Sequence, residues 1–210
     1  MLRRLLSLEN SQSAMQGKGE QVMEQVDFGA GDNSIHLKVV SDATQLSHAL
    51  IVRGICMFEE VGLTIHQTFD GNDYQCTHIV AYSGTEPIGA TRIRWFRDFA
   101  KIERTCFRKA YRSARTLRQC CDFIFYHVAR KGYSQLVTHA EPKIARVWQR
   151  ILGFEEVEGR PIVKTEGQEP YVEMIKRLTV PANAISLDTE PKILFRVEGN
   201  WHVPSAFENV

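Results

Sequence analysis

The sequence predicts an α/β (α+β) domain: a central mixed, mostly antiparallel sheet of about six to seven strands with helices on both faces. Two observations carry most of that prediction. One is the order of the periodic segments, which runs β, α, a meander of strands, then α, β, α, β, β. The other is the strand–helix–strand unit inside that order, because strands joined through a helix pair in parallel while a meander pairs antiparallel. The composition agrees. A chain of 210 residues with 43% hydrophobic and 24% charged side chains holds enough apolar surface for one core.

Residues 1–33, rich in Gln, Ser, Gly and Glu, are assigned to an N-terminal arm. Ile35–Val40 is the first strand, and Ser41 or Asp42 then caps a helix carrying Leu46, Leu50, Val52, Ile55 and Met57. Phe69–Asp73 reads as a turn-rich loop. His78–Tyr82 alternates, and Ser83–Pro87 connects it by a hairpin to a strand over Ile88–Trp95, with another strand over Lys101–Phe107. The strongest helical period follows: Leu117, Cys120, Cys121, Ile124, Phe125 and Val128 recur at i, i+3, i+4, i+7, i+8 and i+11. Lys131–Gly132 ends that helix, and Gln135–His139 is a buried strand. Pro142 opens a helix that places Ile144, Val147, Trp148 and Ile151 on one face and stops at Gly153. Trp148 in this period reads as a core residue. Strands near Pro161–Lys164 and Tyr171–Leu178 close a domain spanning 34–178, and 179–210 is an extension that packs on the core or on a partner subunit.

The net charge of +1 conceals a strong asymmetry. Residues 92–131 hold twelve basic residues and three acids, a local charge of +9, and the remainder carries −8. Five cysteines with no C-x-x-C pair read as reduced thiols of a cytoplasmic protein, and no Cys or His spacing suits zinc, so no metal is expected. The Met1–Leu8 stretch is basic and apolar but too short for a secretory signal, being followed at once by Glu9 and Asn10; a mitochondrial-type presequence stays open. No apolar run reaches the length of a spanning helix, so no membrane partner is expected.

From Lys101 onward the residues form a recognisable series: Lys101-Ile102-Glu103-Arg104-Thr105-Cys106-Phe107, Tyr111-Arg112, a helix, Gly132–Ala140, and Ile151-Leu152-Gly153-Phe154-Glu155-Glu156. Upstream stand Phe58–Gly62, Phe69-Asp70-Gly71-Asn72-Asp73, Thr77–Tyr82 and Pro87-Ile88-Gly89. Over about residues 35–178 this resembles the GNAT superfamily of acyl-CoA N-acyltransferases, in a bacterial branch whose members carry a similar FDGxD…THxVAY stretch. The resemblance implies the GNAT fold, acetyl-CoA or another acyl-CoA as co-substrate, and transfer of an acyl group to a primary amine of a small molecule or protein.

It also implies roles for particular residues. Pyrophosphate is held at the start of the long helix, where unpaired N–H groups and the helix dipole favour an anion. The family's R/Q-x-x-G-x-G/A loop falls on Arg112-Ser113-Ala114-Arg115-Thr116-Leu117, followed by Arg118. Arg115 and Leu117 replace the two glycines, so the loop departs from the family's and side-chain guanidinium groups stand in for backbone contacts. Main-chain groups of Thr105, Cys106 and Phe107 are assigned to the pantetheine arm. Glu103 occupies the strand position of a base, or else it is ion-paired with Arg92, Arg94 or Arg104. The tyrosine that protonates the leaving thiolate has Gln149 in its place, which can hydrogen-bond the departing sulfur, with Tyr111, Tyr82 or water as the acid instead. Asp70, Asp73, His78 and Arg92 are assigned to the acceptor side.

Two other readings stay open. Arg53, Phe58, Asp70, Arg92, Glu103 and Arg104 lie in an order comparable to that of acyl-homoserine lactone synthases, which share the fold and use long-chain or carrier-bound acyl donors. A GNAT-fold module that binds CoA or regulates without catalysis is the other. No helix-turn-helix or aromatic platform accompanies the basic segment, so no nucleic-acid partner is expected, and a homodimer is possible.

Overall fold

The computed structural model describes residues 35–160 and 170–208. The N-terminal arm and the strand expected near Pro161–Lys164 lie outside these residues. Seven strands form one sheet in the order β1-β2-β3-β4-β5-β7-β6. They are β1 (Ile35–Val39), β2 (Thr77–Ser83), β3 (Glu86–Trp95), β4 (Ala100–Phe107), β5 (Gln135–Ala140), β6 (Glu155–Glu156) and β7 (Val172–Arg177). All neighbouring pairs are antiparallel except β4 with β5, so the sheet is mixed as the strand–helix–strand unit requires. The short β6 strand was not expected from the sequence.

Between β1 and β2 lie α1 (Ala43–Arg53) and α2 (Ile65–Thr68). Asp42 caps α1 by accepting from the Gln45 N–H, and of the two cap candidates it is the one used. Thr64 and Gln67 form a reciprocal capping box on α2, which stabilises a helix too short to persist by propensity. Helix α3 (Ala114–Arg130) crosses from β4 to β5, and α4 (Pro142–Val147) follows β5 with Pro142 in its first turn. Two helices change their winding. Past α1 the chain continues as a π-helix over Gly54–Glu60, and past α4 as a second over Trp148–Leu152. Gly153 ends the latter at φ +68, a left-handed conformation that a side chain would strain.

Apolar residues from both faces of the sheet form two clusters. The larger joins Ile79, Ile93, Ile102, Leu136 and Met174 to Cys120, Cys121, Ile124 and Val128 of α3 and to Trp148 and Phe154. The smaller joins Ala49, Val52 and Cys56 to Val80, Tyr82 and Ala90. Helices therefore cover both faces. After β7, α5 (Pro191–Leu194) belongs to a segment that returns to the domain. The Ile185 N–H donates to Arg130 O at 2.8 Å, and Glu198 meets Thr77, His127 and Lys131 at 2.8, 3.2 and 3.0 Å.

Candidate active site

The site is organised by β4. Its parallel register with β5 covers only Ala100↔Leu136 and Lys101↔Val137. Beyond that the Thr138 hydroxyl donates to Ile102 O at 3.1 Å, after which the pairing ends. On the other edge, β3 pairs Arg92 with Glu103 and Ala90 with Cys106, so Arg104 and Thr105 together oppose Thr91. This is a β-bulge. Arg104 takes the extra turn at φ +55, the one positive φ outside glycine among the described residues. Thr91 closes the bulge, donating to Glu103 O at 3.2 Å and lying 2.8 Å from the Thr105 hydroxyl. Bulge and splay together break the sheet open at one strand.

Two cavities follow one another along β4. Thr105, Cys106 and Phe107 line the first, of about 570 Å³. Cys56, Met57 and Val61 of the first π-helical segment and its exit face them. Leu117 comes from α3, and Ile144, Val147, Trp148 and Ile151 from α4 and the second π-helix. The lining is almost wholly apolar. Trp148 is held edge-on against Phe154 at a ring distance of 5.0 Å, so this wall is fixed by the core. At the cavity's edge Ser113 caps α3, accepting from the Thr116 N–H at 3.0 Å. The first N–H groups of α3, at Ala114 and Arg115, have no carbonyl four residues back to bond. Arg112 donates to Phe107 O at 2.7 Å and is ion-paired with Glu60, tying β4 to the π-helix across the cavity wall. Cys56 sits in this wall beside Cys106. The hydrogen bond from Cys106, aided by Arg112 against the opposing effect of burial, holds the Cys56 thiol down to about 7, and Cys106 is pushed up.

The second cavity, about 250 Å³, is polar. Lys101, Ile102, Glu103 and Arg104 of β4 line it with His139, Tyr171, Leu63 and Gln67. Beneath it lies an ion-pair network centred on Arg92, whose side chain is only 2% exposed. Arg92 donates to Asp70 at 2.8 and 2.9 Å, to Asp73 at 2.8 Å and to Glu103 at 2.7 and 3.0 Å. Arg53, fully buried, bonds Asp73 at 2.5 Å and the Thr68 carbonyl. Arg104 reaches Asp70 at 3.2 Å, Lys101 reaches Glu103 at 2.8 Å, and Arg94 stands 3.7 Å from Glu103. The Arg92 hydrogen bonds hold the Asp70 carboxyl well below the usual carboxylate range. Burial opposes the same shift at Asp73 and Glu103, but their cationic partners overcome it and both are held low. Burial and the Lys101 charge lower the His139 pKa, so this imidazole is neutral at pH 7.

The structure sorts the residues named from sequence. Thr105, Cys106, Phe107, Arg112, Ser113, Ala114 and Leu117 do come together, all on the apolar cavity. Thr116 is buried and Arg115 and Arg118 are exposed; none of the three is in that lining. Arg108 is ion-paired with Glu86. Glu103 lines the polar cavity in its ion-paired form. Arg92 and Asp73 lie under that cavity, in the network that supports it, and do not line it. His78 is buried, with Nε2 at 2.9 Å from Asp73 O. Gln149 is exposed and Tyr111 packs half-buried on the large cluster, and neither lines either cavity. Sequence reasoning missed Cys56, Met57 and Val61 as cavity wall and His139 and Tyr171 as lining of the polar cavity. Asp73, Cys76 and His78 bring possible metal-ligand atoms within 4.8 Å of one another. Arg53 and Arg92 already occupy the Asp73 carboxylate, so a cation there would meet two guanidinium groups. No helix among the described residues is long and apolar enough to cross a membrane.

No family model matches the chain. A Bacillus subtilis protein bearing a provisional acetyltransferase name is 28% identical over 120 residues, covering 56% of this chain and 82% of that protein. Among solved structures, a provisionally named N-acetyltransferase from Lactobacillus plantarum superposes with a TM-score of 0.63 at 24% identity. That likeness covers 69% of this chain and 99% of the other. The acyl-homoserine lactone synthase LasI superposes with a TM-score of 0.58 at 12% identity, over 75% of this chain and 100% of its own. A splayed β4/β5 pair, a β4 bulge and a helix N-terminus beside the splay are thus set in a GNAT fold. The chain has the GNAT fold, and the relatives it resembles in sequence carry acetyltransferase names.

Proposed function

We propose that the protein is an N-acyltransferase that moves an acyl group, acetyl in the simplest case, from coenzyme A to a primary amine. The observation that carries this reading is the passage of β4 from one cavity to the other. Residues 105–107 border an apolar channel beside a helix N-terminus, and residues 101–104 border a polar chamber. A thioester lying in the first presents its carbonyl at the bulge, where an amine in the second attacks it. The α3 N-terminus, with Lys109, Arg115 and Arg118 exposed around it, suits the cofactor's phosphates.

Transfer needs a neutral amine. Glu103 is a poor proton acceptor because its cationic partners keep it ionised at low pH, and in this reading it orients the amine electrostatically. His139, neutral at pH 7 and lining the same chamber, receives the proton. The carbonyl carbon gains the C–N bond, the C–S bond breaks, and CoA leaves as a thiolate that takes its proton from solvent or from the cavity-wall thiol pair. The experiment is thiol release from acetyl-CoA across a panel of primary amines. Release above the amine-free background supports the reading. Background release with every amine, despite bound CoA, leaves a non-catalytic CoA module.

A second reading has its own support. The apolar lining by Met57, Leu117, Ile144, Val147, Trp148 and Ile151 is more extensive than an acetyl group requires, which favours a longer acyl chain. Competition among acetyl-, hexanoyl- and dodecanoyl-CoA distinguishes the two, since burial of each added methylene strengthens binding only if the chain enters this cavity.

A further inference from the structure

We infer that the polar chamber is built for a small amine that also carries a carboxylate, an α-amino acid. The acceptor role of such a molecule rests on the acyltransferase reading above, while its binding does not. Three observations lead there: the chamber's size, its charge and the way Arg104 is held.

A volume of about 250 Å³ admits a solute of roughly eight heavy atoms at the density of water. That is the scale of an amino acid, and a folded protein segment is far larger. The charge is unbalanced. Among the described residues, the network around the chamber sets the five cations Arg53, Arg92, Arg94, Lys101 and Arg104 against the three carboxylates Asp70, Asp73 and Glu103. Behind His139, Glu173 is matched by Arg160 at 3.6 Å, and Glu141 acts with Arg104 on Tyr171 at the chamber's edge, so with Glu141 counted one positive charge is left over. Partly buried cations without counter-ions are costly, and an anionic ligand removes that cost.

The excess is directed at the chamber. Arg53 and Arg92 spend their donors on Asp70, Asp73, Glu103 and Thr68 below it. Arg104 and Lys101 line it, and the Arg104 guanidinium has one hydrogen bond among the described residues, to Asp70 at 3.2 Å. Its Nε is buried without a partner and its Nη1 makes no hydrogen bond among the described residues, so a carboxylate in the chamber meets unused N–H donors on this guanidinium. The left-handed Arg104 backbone is strained, and the bulge that imposes it lies beside Glu103 on the stretch of β4 that borders the chamber. The same positive field makes a bound amine less basic and so supplies the neutral nucleophile the chemistry needs. A simple alkylammonium gains nothing there. A zwitterion is anchored by its carboxylate and loses its amine proton more easily.

The test is calorimetric binding of each of the twenty protein amino acids, paired with its α-carboxamide, to the full chain holding CoA, with thiol release from acetyl-CoA measured on the same pairs. The expected result is at least one amino acid binding about tenfold or more tighter than its carboxamide, the scale of one charge-assisted hydrogen bond. Arg104→Gln should collapse that preference towards unity without altering CoA affinity, and Lys101→Gln, a second variant, should reduce it. Carboxamides that bind or react as well as the acids overturn the inference, as does a preference that survives both substitutions or no binding by any amino acid. Thiol release with amines regardless of a carboxylate overturns it and leaves the acyltransferase reading standing. Carboxylate-selective binding without thiol release supports the chamber's assignment and contradicts the acyltransferase reading.

Discussion

Arg92 shows how a residue named for substrate contact serves the site from beneath. Its guanidinium bridges Asp70, Asp73 and Glu103 at once, so Arg92→Met removes the cation they share and leaves Asp70 to Arg104, Asp73 to Arg53, and Glu103 to Lys101 and Arg94 in a half-buried space. The expected loss is about 3–5 kcal/mol in denaturant unfolding, the cost of breaking a buried ion-pair network. The pH dependence has a definite sign. All three carboxyls have lowered pKa values, so their contribution is present above the ordinary carboxylate range and is lost as pH falls through and below it. Wild-type stability should drop as pH falls below about 4, and more shallowly in Arg92→Met; equal slopes would contradict the network's role. Cys56 makes the other prediction at this scale. Cys56 is buried but borders the apolar cavity, and with its thiol held down to about 7 while burial pushes Cys120 to about 12, it should be alkylated by iodoacetamide at neutral pH faster than the equally buried Cys120. Bound CoA should protect it, and peptide mapping by mass spectrometry reads both results.

Among the elements, the long helix, the hairpins and the strand–helix–strand unit were legible because their apolar spacings are those of the regular structures. The cavity walls were not. Two of them are π-wound, and one extra residue per turn rotates every following side chain away from the face that an i, i+3, i+4 count assigns. Met57 was therefore read as part of a continuing α1, and a count back from Gly153 led to Gln149, which is exposed, when Trp148 and Ile151 line the cavity. Glu103 was readable as a site residue, but its state depends on Arg92 and Lys101 meeting it across strands. Gly89 on β3 shows how closely the sheet supports the cavity. A Cβ there would lie 2.3 Å from the Phe107 ring, so Gly89→Ala must displace a residue of the cavity wall. It should cost about 1–3 kcal/mol of stability and weaken CoA binding more than a surface substitution of equal cost.

For the whole molecule, the proposed division assigns 179–210 to an extension of the 34–178 domain, and the sequence offered no period to show where it rests. Glu198 supplies the physical link. Although burial opposes it, His127, Lys131 and Thr77 hold its carboxyl down to about 2, so the contact strengthens the fold above the ordinary glutamate range and weakens as pH falls towards 2. Truncation after Leu178 should lower Tm by at least about 3 °C, the shift that about 1 kcal/mol gives in a domain this size, with Glu198→Gln reproducing part of it. The +9 segment also takes its meaning at this scale. It includes cations around the polar chamber and cations around the α3 N-terminus, with Arg97 in the β3–β4 connection and Arg130 and Lys131 at the far end of α3. In the proposed reading coenzyme A enters the apolar cavity beside that N-terminus. Titration calorimetry with acetyl-CoA on the wild type and on Leu117→Arg, which places a charge in the cavity wall, tests it most directly. Sub-millimolar binding to the wild type and at least about a tenfold loss in the variant are expected. Equal affinity in the two proteins, or no binding to the wild type, would contradict it.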